Sequence, residues 1–81
     1  MYAEVLPNLP RIKSTFHYEL AGSLGEEIQT GHLVIVPFGR QRIQGVVVNL
    51  DRAAPVGVTE FKTVEALLDP DPVLSKTEME L

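Results

Sequence analysis

The stretch that decides the fold is HLVIVPFGRQRIQGVVVNL, residues 32–50. Two apolar runs, residues 32–38 and about 43–50, flank the glycine-containing segment GRQR at 39–42, which is the pattern of a β-hairpin. Apolar residues occupy both alternating positions of each run, so both strands are predicted to be covered on two sides, as in a small barrel or sandwich. Gly45 indicates a bulge or a close approach of neighbouring backbone.

Outside the hairpin, short apolar runs bounded by Gly, Pro, Asn and Asp predict three more strands. They are Tyr2–Leu6, Thr15–Leu20 and Phe61–Leu68. In the second of these, Phe16 and Tyr18 share one face and His17 lies on the other, because side chains alternate along a strand. Residues 21–31 contain three glycines and predict a loop or one weak turn.

These elements predict a mainly β fold, a small barrel or sandwich of five to six strands. The chain has 81 residues, which is enough for one hydrophobic core. Residues 69–72 (DPDP) end the last strand, and Ser75 followed by Glu78 fits a capping box that opens a helix. We therefore expect one domain over residues 1–72, with residues 73–81 as a linker or helix start that leads into a longer protein.

The charge is distributed unevenly along the chain. The net charge is −4, and all of it arises in residues 51–81, which carry seven acids against three bases. Residues 1–50 carry four of each, and their bases fall in two purely basic stretches. These bases are Arg11, Lys13, Arg40 and Arg42. If the fold brings the two stretches together, they form a local positive patch on an acidic molecule.

Several function classes are disfavoured by what the sequence lacks. The chain has no cysteine, which removes disulfide frameworks, thiol nucleophiles and zinc ribbons. Its two histidines, His17 and His32, fall short of the three or four ligands that zinc needs. The common nucleotide, metal and acyl-transfer motifs are absent, so catalysis by this chain alone is not expected. Neither an apolar run of about 18 residues nor a signal peptide occurs, and a cytoplasmic location is the expectation.

Two groups of residues allow both a functional and a purely structural interpretation. Phe16 and Tyr18 fit base stacking on a single-strand-binding barrel, but the residue pattern alone favours two core residues on one face of a strand. Arg40 and Arg42 fit phosphate contacts at a hairpin tip, or equally a solvated turn.

The hairpin sequence also carries a resemblance. VIVPFGR at residues 34–40, followed by GVVV at 45–48, resembles the N-terminal 3′-end DNA-binding domain of the bacterial primosomal replication-restart helicase PriA. The match continues in register over nearly the whole chain, at Val5-x-Pro7, Thr15-Phe16-x-Tyr18, Phe61-Lys62-x-Val64 and Leu68-Asp69.

The resemblance implies a domain that captures the 3′ terminus of the nascent leading strand at a stalled fork and holds the last nucleotide in a small pocket. Carried over residue by residue, that pocket uses Phe16, His17, Gly39 and Lys62. At His17 the family usually has an aspartate that contacts the terminal nucleotide. If His17 takes over that role, protonation of its imidazole is expected to affect recognition of the 3′-hydroxyl.

Weaker phosphate contacts are expected from the bases of the two basic stretches, which are Arg11, Lys13, Arg40 and Arg42. The implied partners are single-stranded or forked DNA with a free 3′-hydroxyl and, through the full-length protein, other primosome proteins and single-stranded DNA-binding protein. Neither a membrane partner nor a cofactor in this chain is expected. The full-length protein would be an ATP-dependent helicase with ATP, magnesium and zinc, located in the bacterial cytoplasm at the nucleoid. The alternative is a protein-docking domain of a larger assembly with no direct DNA contact.

Overall fold

The computed structural model describes residues 1–57 and 60–68. Within them lie five strands and one short helix: β1 (Tyr2–Pro7), β2 (Phe16–Glu19), α1 (Leu24–Glu27), β3 (Leu33–Phe38), β4 (Gln41–Asp51) and β5 (Ala66–Leu67). The strands form one antiparallel sheet in the order β2-β1-β4-β3-β5. The prediction of a mainly β fold is confirmed, and the single turn of α1 agrees with the weak turn expected in residues 21–31.

The β3–β4 hairpin is tighter than the sequence predicts. Phe38 pairs with Gln41, so the connection is the two residues Gly39 and Arg40, and β4 begins two residues before Ile43. Gly39 has a φ of 60°, the conformation that a type II′ turn requires of its first central residue. The twist of this turn matches that of the strands, which lets the ladder run up to the turn.

Strand β1 lies beside β4, and a bulge shifts their register. Glu4 pairs with Asn49 and Val5 pairs with Val47, so Val48 is the extra residue on β4. The extra residue lets both Val47 and Leu50 point toward the core. At Gly45 the predicted close approach is present, because a Cβ there would lie 3.1 Å from the backbone oxygen of Leu6 and against the Val5 side chain.

The core lies on one face of this sheet and is built from alternating positions. Val5, Val34, Val36 and Val47 are the largest side chains that are fully buried. Leu33 and Ile35, on the opposite face of β3, are only partly buried. The hairpin is therefore covered well on one side and incompletely on the other.

The predicted fifth strand, Phe61–Leu68, is wrong in length, because only Ala66–Leu67 pairs as a strand. The backbone of this segment divides its hydrogen bonds between the two sides of the sheet. Residues 62–64 bond to Glu19 of β2, while Glu65 and Leu68 donate to carbonyls of β3. A segment that crosses between two strands in this way cannot form one long ladder with either.

The sheet curls strongly but is not closed into a barrel. In a flat sheet, β2 and β3 would be about 14 Å apart, since two strands lie between them. The hydroxyl of Tyr18 nevertheless reaches the carbonyl oxygen of Pro37 at 2.9 Å. The start of β2 and the end of β3 therefore face each other across an open end of the sheet.

Two sequence predictions concern residues that lie outside the described part of the chain: the end of the domain at residue 72 and the helix start in 73–81. No helix in residues 1–57 and 60–68 is long and apolar enough to cross a membrane.

Candidate functional site

A cavity of about 440 Å³ opens where the start of β2, the end of β3 and the segment 60–62 meet. Ten side chains or backbone segments line it: Thr15, Phe16, His17, Tyr18, Pro37, Phe38, Gly39, Glu60, Phe61 and Lys62. Its size falls in the range of pockets that hold one small molecule, about 300–1,000 Å³. The cavity thus follows directly from the curl that brings β2 and β3 together.

Aromatic rings form one wall of the cavity. Phe16 and Phe38 meet edge to face, with ring centroids 5.1 Å apart and an interplanar angle of 83°. Phe16 keeps 37% of its surface exposed, whereas Tyr18 beside it is buried. Burial raises the pKa of Tyr18 above its ordinary value, because the phenolate would lose its hydration. Of the two aromatic residues on β2, Phe16 is therefore the one that can contact a ligand, while Tyr18 holds the wall together.

The hairpin turn and segment 60–62 form the opposite part of the lining. The Nζ of Lys62 lies 3.5 Å from the carbonyl oxygen of Gly39, so a donor and an acceptor sit side by side. The Lys62 backbone carbonyl accepts a 2.9 Å hydrogen bond from the amide of Glu19, which fixes this residue against β2. Next to it, Phe61 packs on Tyr2 with ring centroids 4.7 Å apart. The Lys62 side chain is thus held at its base by β2, and its ammonium donates one long hydrogen bond to the hairpin turn.

His17 lies in the lining with a carboxylate behind it. Its Cα pairs with that of Glu4 across the β1–β2 ladder, and its Nε2 lies 3.7 Å from Oε1 of Glu4. The other oxygen of the same carboxylate accepts a 2.6 Å hydrogen bond from the Thr15 hydroxyl. The side chains of His17 and Glu4 are 32% and 27% exposed, so this contact is only partly screened by water.

All four residues predicted for the pocket, Phe16, His17, Gly39 and Lys62, line this one cavity. The four residues predicted to contact phosphate do not converge on the cavity in the same way. Arg40 adjoins Gly39 and is exposed, whereas the Nε of Arg42 forms a 2.9 Å ion pair with Oε1 of Glu65. Arg11 and Lys13 are exposed in the loop before β2, outside the lining.

Sequence analysis did not assign a role at the cavity to several residues that line it or support it. They are Glu4, Thr15, Pro37, Phe38, Glu60 and Phe61. The sequence did contain an indication of the role of Glu4, because an acid in the predicted first strand and a histidine in the second can face each other in a ladder. The contact of Phe16 with Phe38 could not be predicted from the sequence, since it depends on the curl of the sheet. The described residues contain no group of three or more His, Asp or Glu placed to hold a metal ion.

Comparison with known proteins identifies the family of this chain. The family described as the 3′DNA-binding domain (3′BD) of PriA matches residues 4–81. The replication restart protein PriA of Bacillus subtilis (strain 168) is 39% identical over 80 residues, which cover 96% of this chain and 10% of that protein. The chain thus spans about a tenth of the length of this relative. From the family match over most of its length and this identity, the chain belongs to the family of PriA 3′ DNA-binding domains.

Proposed function

We propose that this chain binds the 3′ terminus of a DNA strand and holds the last nucleotide in the cavity between β2, the β3–β4 turn and segment 60–62. The observation that carries the proposal is the convergence of Phe16, His17, Gly39 and Lys62 on one cavity of nucleotide scale. In a cell, the ligand would be the 3′ end of the nascent leading strand at a stalled fork.

The lining offers a partner for each part of a nucleotide. The exposed face of Phe16, steadied by Phe38, suits stacking with a base. The Lys62 ammonium suits a phosphate, and Arg40, the second residue of the turn, is exposed and can add a second cation. Gly39 has no side chain, so a sugar can approach the backbone there. His17 is left as the side chain that meets the terminal hydroxyl.

The electrostatics favour a short contact over a long groove. Glu60 lines the cavity together with Lys62, and the whole chain has a net charge of −4. Phosphate binding by an extended basic surface is therefore a poor fit. Recognition of one end of a strand needs only a few phosphate contacts, and the arrangement fits that requirement.

The chain acts, in this proposal, as a non-catalytic module of a larger protein. An ATP-dependent helicase activity, with ATP, magnesium and zinc, would reside in the rest of that protein, as would contacts with other primosome proteins and single-stranded DNA-binding protein. The module itself would need no cofactor and would work in the bacterial cytoplasm, at the nucleoid.

Fluorescence-anisotropy titration with short labelled oligonucleotides tests this function. The oligonucleotides should share one sequence and end in either a 3′-hydroxyl or a 3′-phosphate, and a circular version provides a control without ends. We expect the 3′-hydroxyl strand to bind best and the circle worst. Equal affinity for all three would contradict terminus recognition, and no binding to any of them would favour a protein-docking role.

A further inference from the structure

Glu4 is a charged residue that contacts two residues of the cavity lining, and the proposed function gives it no role. Both oxygens of its carboxylate are directed at residues of the lining: Oε2 accepts the hydrogen bond of Thr15, and Oε1 lies 3.7 Å from Nε2 of His17. Thr15 thus restricts the rotation of the carboxylate, and the β1–β2 register sets its distance from the histidine. The geometry is that of an anchored acid paired with an imidazole.

We propose that Glu4 is a positioning residue that fixes the tautomer of His17, and that it thereby sets the preference of the cavity for a 3′-hydroxyl. The 3.7 Å separation is longer than a hydrogen bond, so Glu4 acts on His17 as a nearby negative charge. That charge favours the proton of the neutral imidazole on Nε2, the ring nitrogen beside it. Nδ1 is then left as the acceptor of the ring. A 3′-hydroxyl can donate a hydrogen bond to that acceptor, whereas a fully ionised phosphate cannot.

The pair accounts chemically for the histidine at this position. An aspartate is an acceptor in its ionised form, but a histidine can present either an acceptor or a donor. Without a neighbouring charge, neither tautomer of the His17 imidazole would be strongly favoured. Glu4 supplies the negative charge from the neighbouring strand, and the imidazole supplies the acceptor inside the cavity.

Other charged groups lie near His17 and must be separated from the effect of Glu4. Glu60 and Lys62 line the same cavity, and Glu19 lies two residues along β2 on the same face. Glu19 is exposed, and its Cα pairs with Tyr2 in the β1–β2 ladder. Glu19→Gln therefore removes one negative charge from the same face without changing the carboxylate beside His17, and it serves as the matched control for Glu4→Gln.

The inference rests on the proposed function for its ligand, but its first test needs no DNA. Nitrogen-15 NMR of the imidazole rings at neutral pH reports which ring nitrogen carries the proton. We expect His17 in the unmodified chain to carry it on Nε2. His32 is an internal reference, because its Nδ1 accepts a 2.9 Å hydrogen bond from the Gln29 amide and must also be unprotonated. The His17→Gln spectrum identifies which signals belong to which ring.

The second test compares variants. Glu4→Gln should give a mixture of His17 tautomers and lower the preference for 3′-hydroxyl over 3′-phosphate by about fivefold, the effect of one hydrogen bond. Glu19→Gln should leave both the tautomer and this preference unchanged. His17 protonated on Nδ1 in the unmodified chain, or an unchanged His17 spectrum in folded Glu4→Gln, would overturn the inference. If Glu4→Gln changes the tautomer but the unmodified chain does not distinguish the two ends, the positioning role stands and the proposed function fails.

Discussion

The hydroxyl of Tyr18 donates a 2.9 Å hydrogen bond to the carbonyl oxygen of Pro37, and this bond joins two strands that are not neighbours in the sheet. It lies in the wall of the cavity, next to the edge-to-face contact of Phe16 with Phe38. The curl of the sheet and the shape of the site are therefore one structural feature. A change that loosens the curl should also loosen the site.

Tyr18→Phe tests this relationship. The ring remains, but the carbonyl of Pro37 loses its partner, so we expect a loss of about 1 kcal/mol in the free energy of unfolding. Because burial raises the pKa of Tyr18, the folded chain keeps this proton where the unfolded chain releases it. Stability due to Tyr18 is thus complete below about pH 10 and falls as pH rises further.

Urea unfolding at neutral and alkaline pH measures both effects. At neutral pH, Tyr18→Phe should unfold at a lower urea concentration than the unmodified chain. Above about pH 10, it should lose less stability than the unmodified chain does. An alkaline loss of equal size in both proteins would show that Tyr18 is not its source.

At the two glycines of the hairpin, the Ala and Asn variants should rank in opposite orders of stability. Gly39 has a φ of 60° with open space where a Cβ would lie, so its constraint is conformational. Asn tolerates this region better than Ala, and Gly39→Asn should be more stable than Gly39→Ala. At Gly45 the constraint is steric, because Leu6 and Val5 lie against the position of a Cβ. There Ala should be tolerated better than Asn, since the larger side chain adds to overpacking.

Urea unfolding of the four variants checks this reversal of rank. The same order of Ala and Asn at both positions would contradict the distinction between a backbone constraint and a steric one.

The hairpin and the two faces of the early strands could be predicted from the sequence because they depend on local patterns. The alternation around Phe16 and Tyr18, the turn at Gly39 and the close approach at Gly45 are each set by neighbouring residues. The length of β5 could not be predicted, since its backbone divides its hydrogen bonds between β2 and β3. That division follows from the curl of the whole sheet, which no short segment encodes.

Lys62→Ala should weaken binding to a 3′-hydroxyl oligonucleotide and make its salt dependence shallower. Removal of one phosphate contact on a single strand lowers the slope of log K against log salt by about 0.7. Lys13→Ala removes the same charge from an exposed loop residue outside the cavity lining, and we expect a smaller effect on affinity. Anisotropy titrations at several salt concentrations compare the two. Equal losses in both variants would indicate a diffuse electrostatic contact and not a phosphate held at Lys62.

Arg40 and Arg42 provide a second matched pair. The guanidinium of Arg42 is paired with Glu65 at 2.9 Å, whereas Arg40 is exposed in the turn, next to Gly39 of the cavity lining. Arg40→Ala should therefore reduce DNA affinity more than Arg42→Ala. Glu65→Gln should raise affinity, because it frees the guanidinium of Arg42. The ion pair is exposed on the Arg42 side and contributes about 0–1 kcal/mol to stability, so all three variants should fold. A larger loss of DNA affinity for Arg42→Ala than for Arg40→Ala would indicate that the phosphates lie along β4 and not at the turn.

The identity of the pocket residues came from the resemblance, and their convergence from the structure. Phe16, Gly39 and Lys62 are far apart in sequence and lie on three different elements, so neither periodicity nor spacing could have joined them. Glu4 stayed unassigned because the sequence leaves open which residue of β2 it faces, and only the β1–β2 register pairs it with His17. A binding site built where a curled sheet brings strand ends together is in general hidden from local sequence patterns.

The most direct test of the central claim is amide NMR of the chain during titration with a short oligonucleotide that has a free 3′-hydroxyl. We expect the largest shift changes at Thr15–Tyr18, at Phe38 and Gly39, and at Glu60–Lys62, with smaller changes when the 3′ end is phosphorylated. Shift changes concentrated in the loop that carries Arg11 and Lys13, or changes that do not depend on the chemistry of the 3′ end, would contradict the claim that this cavity holds the terminus.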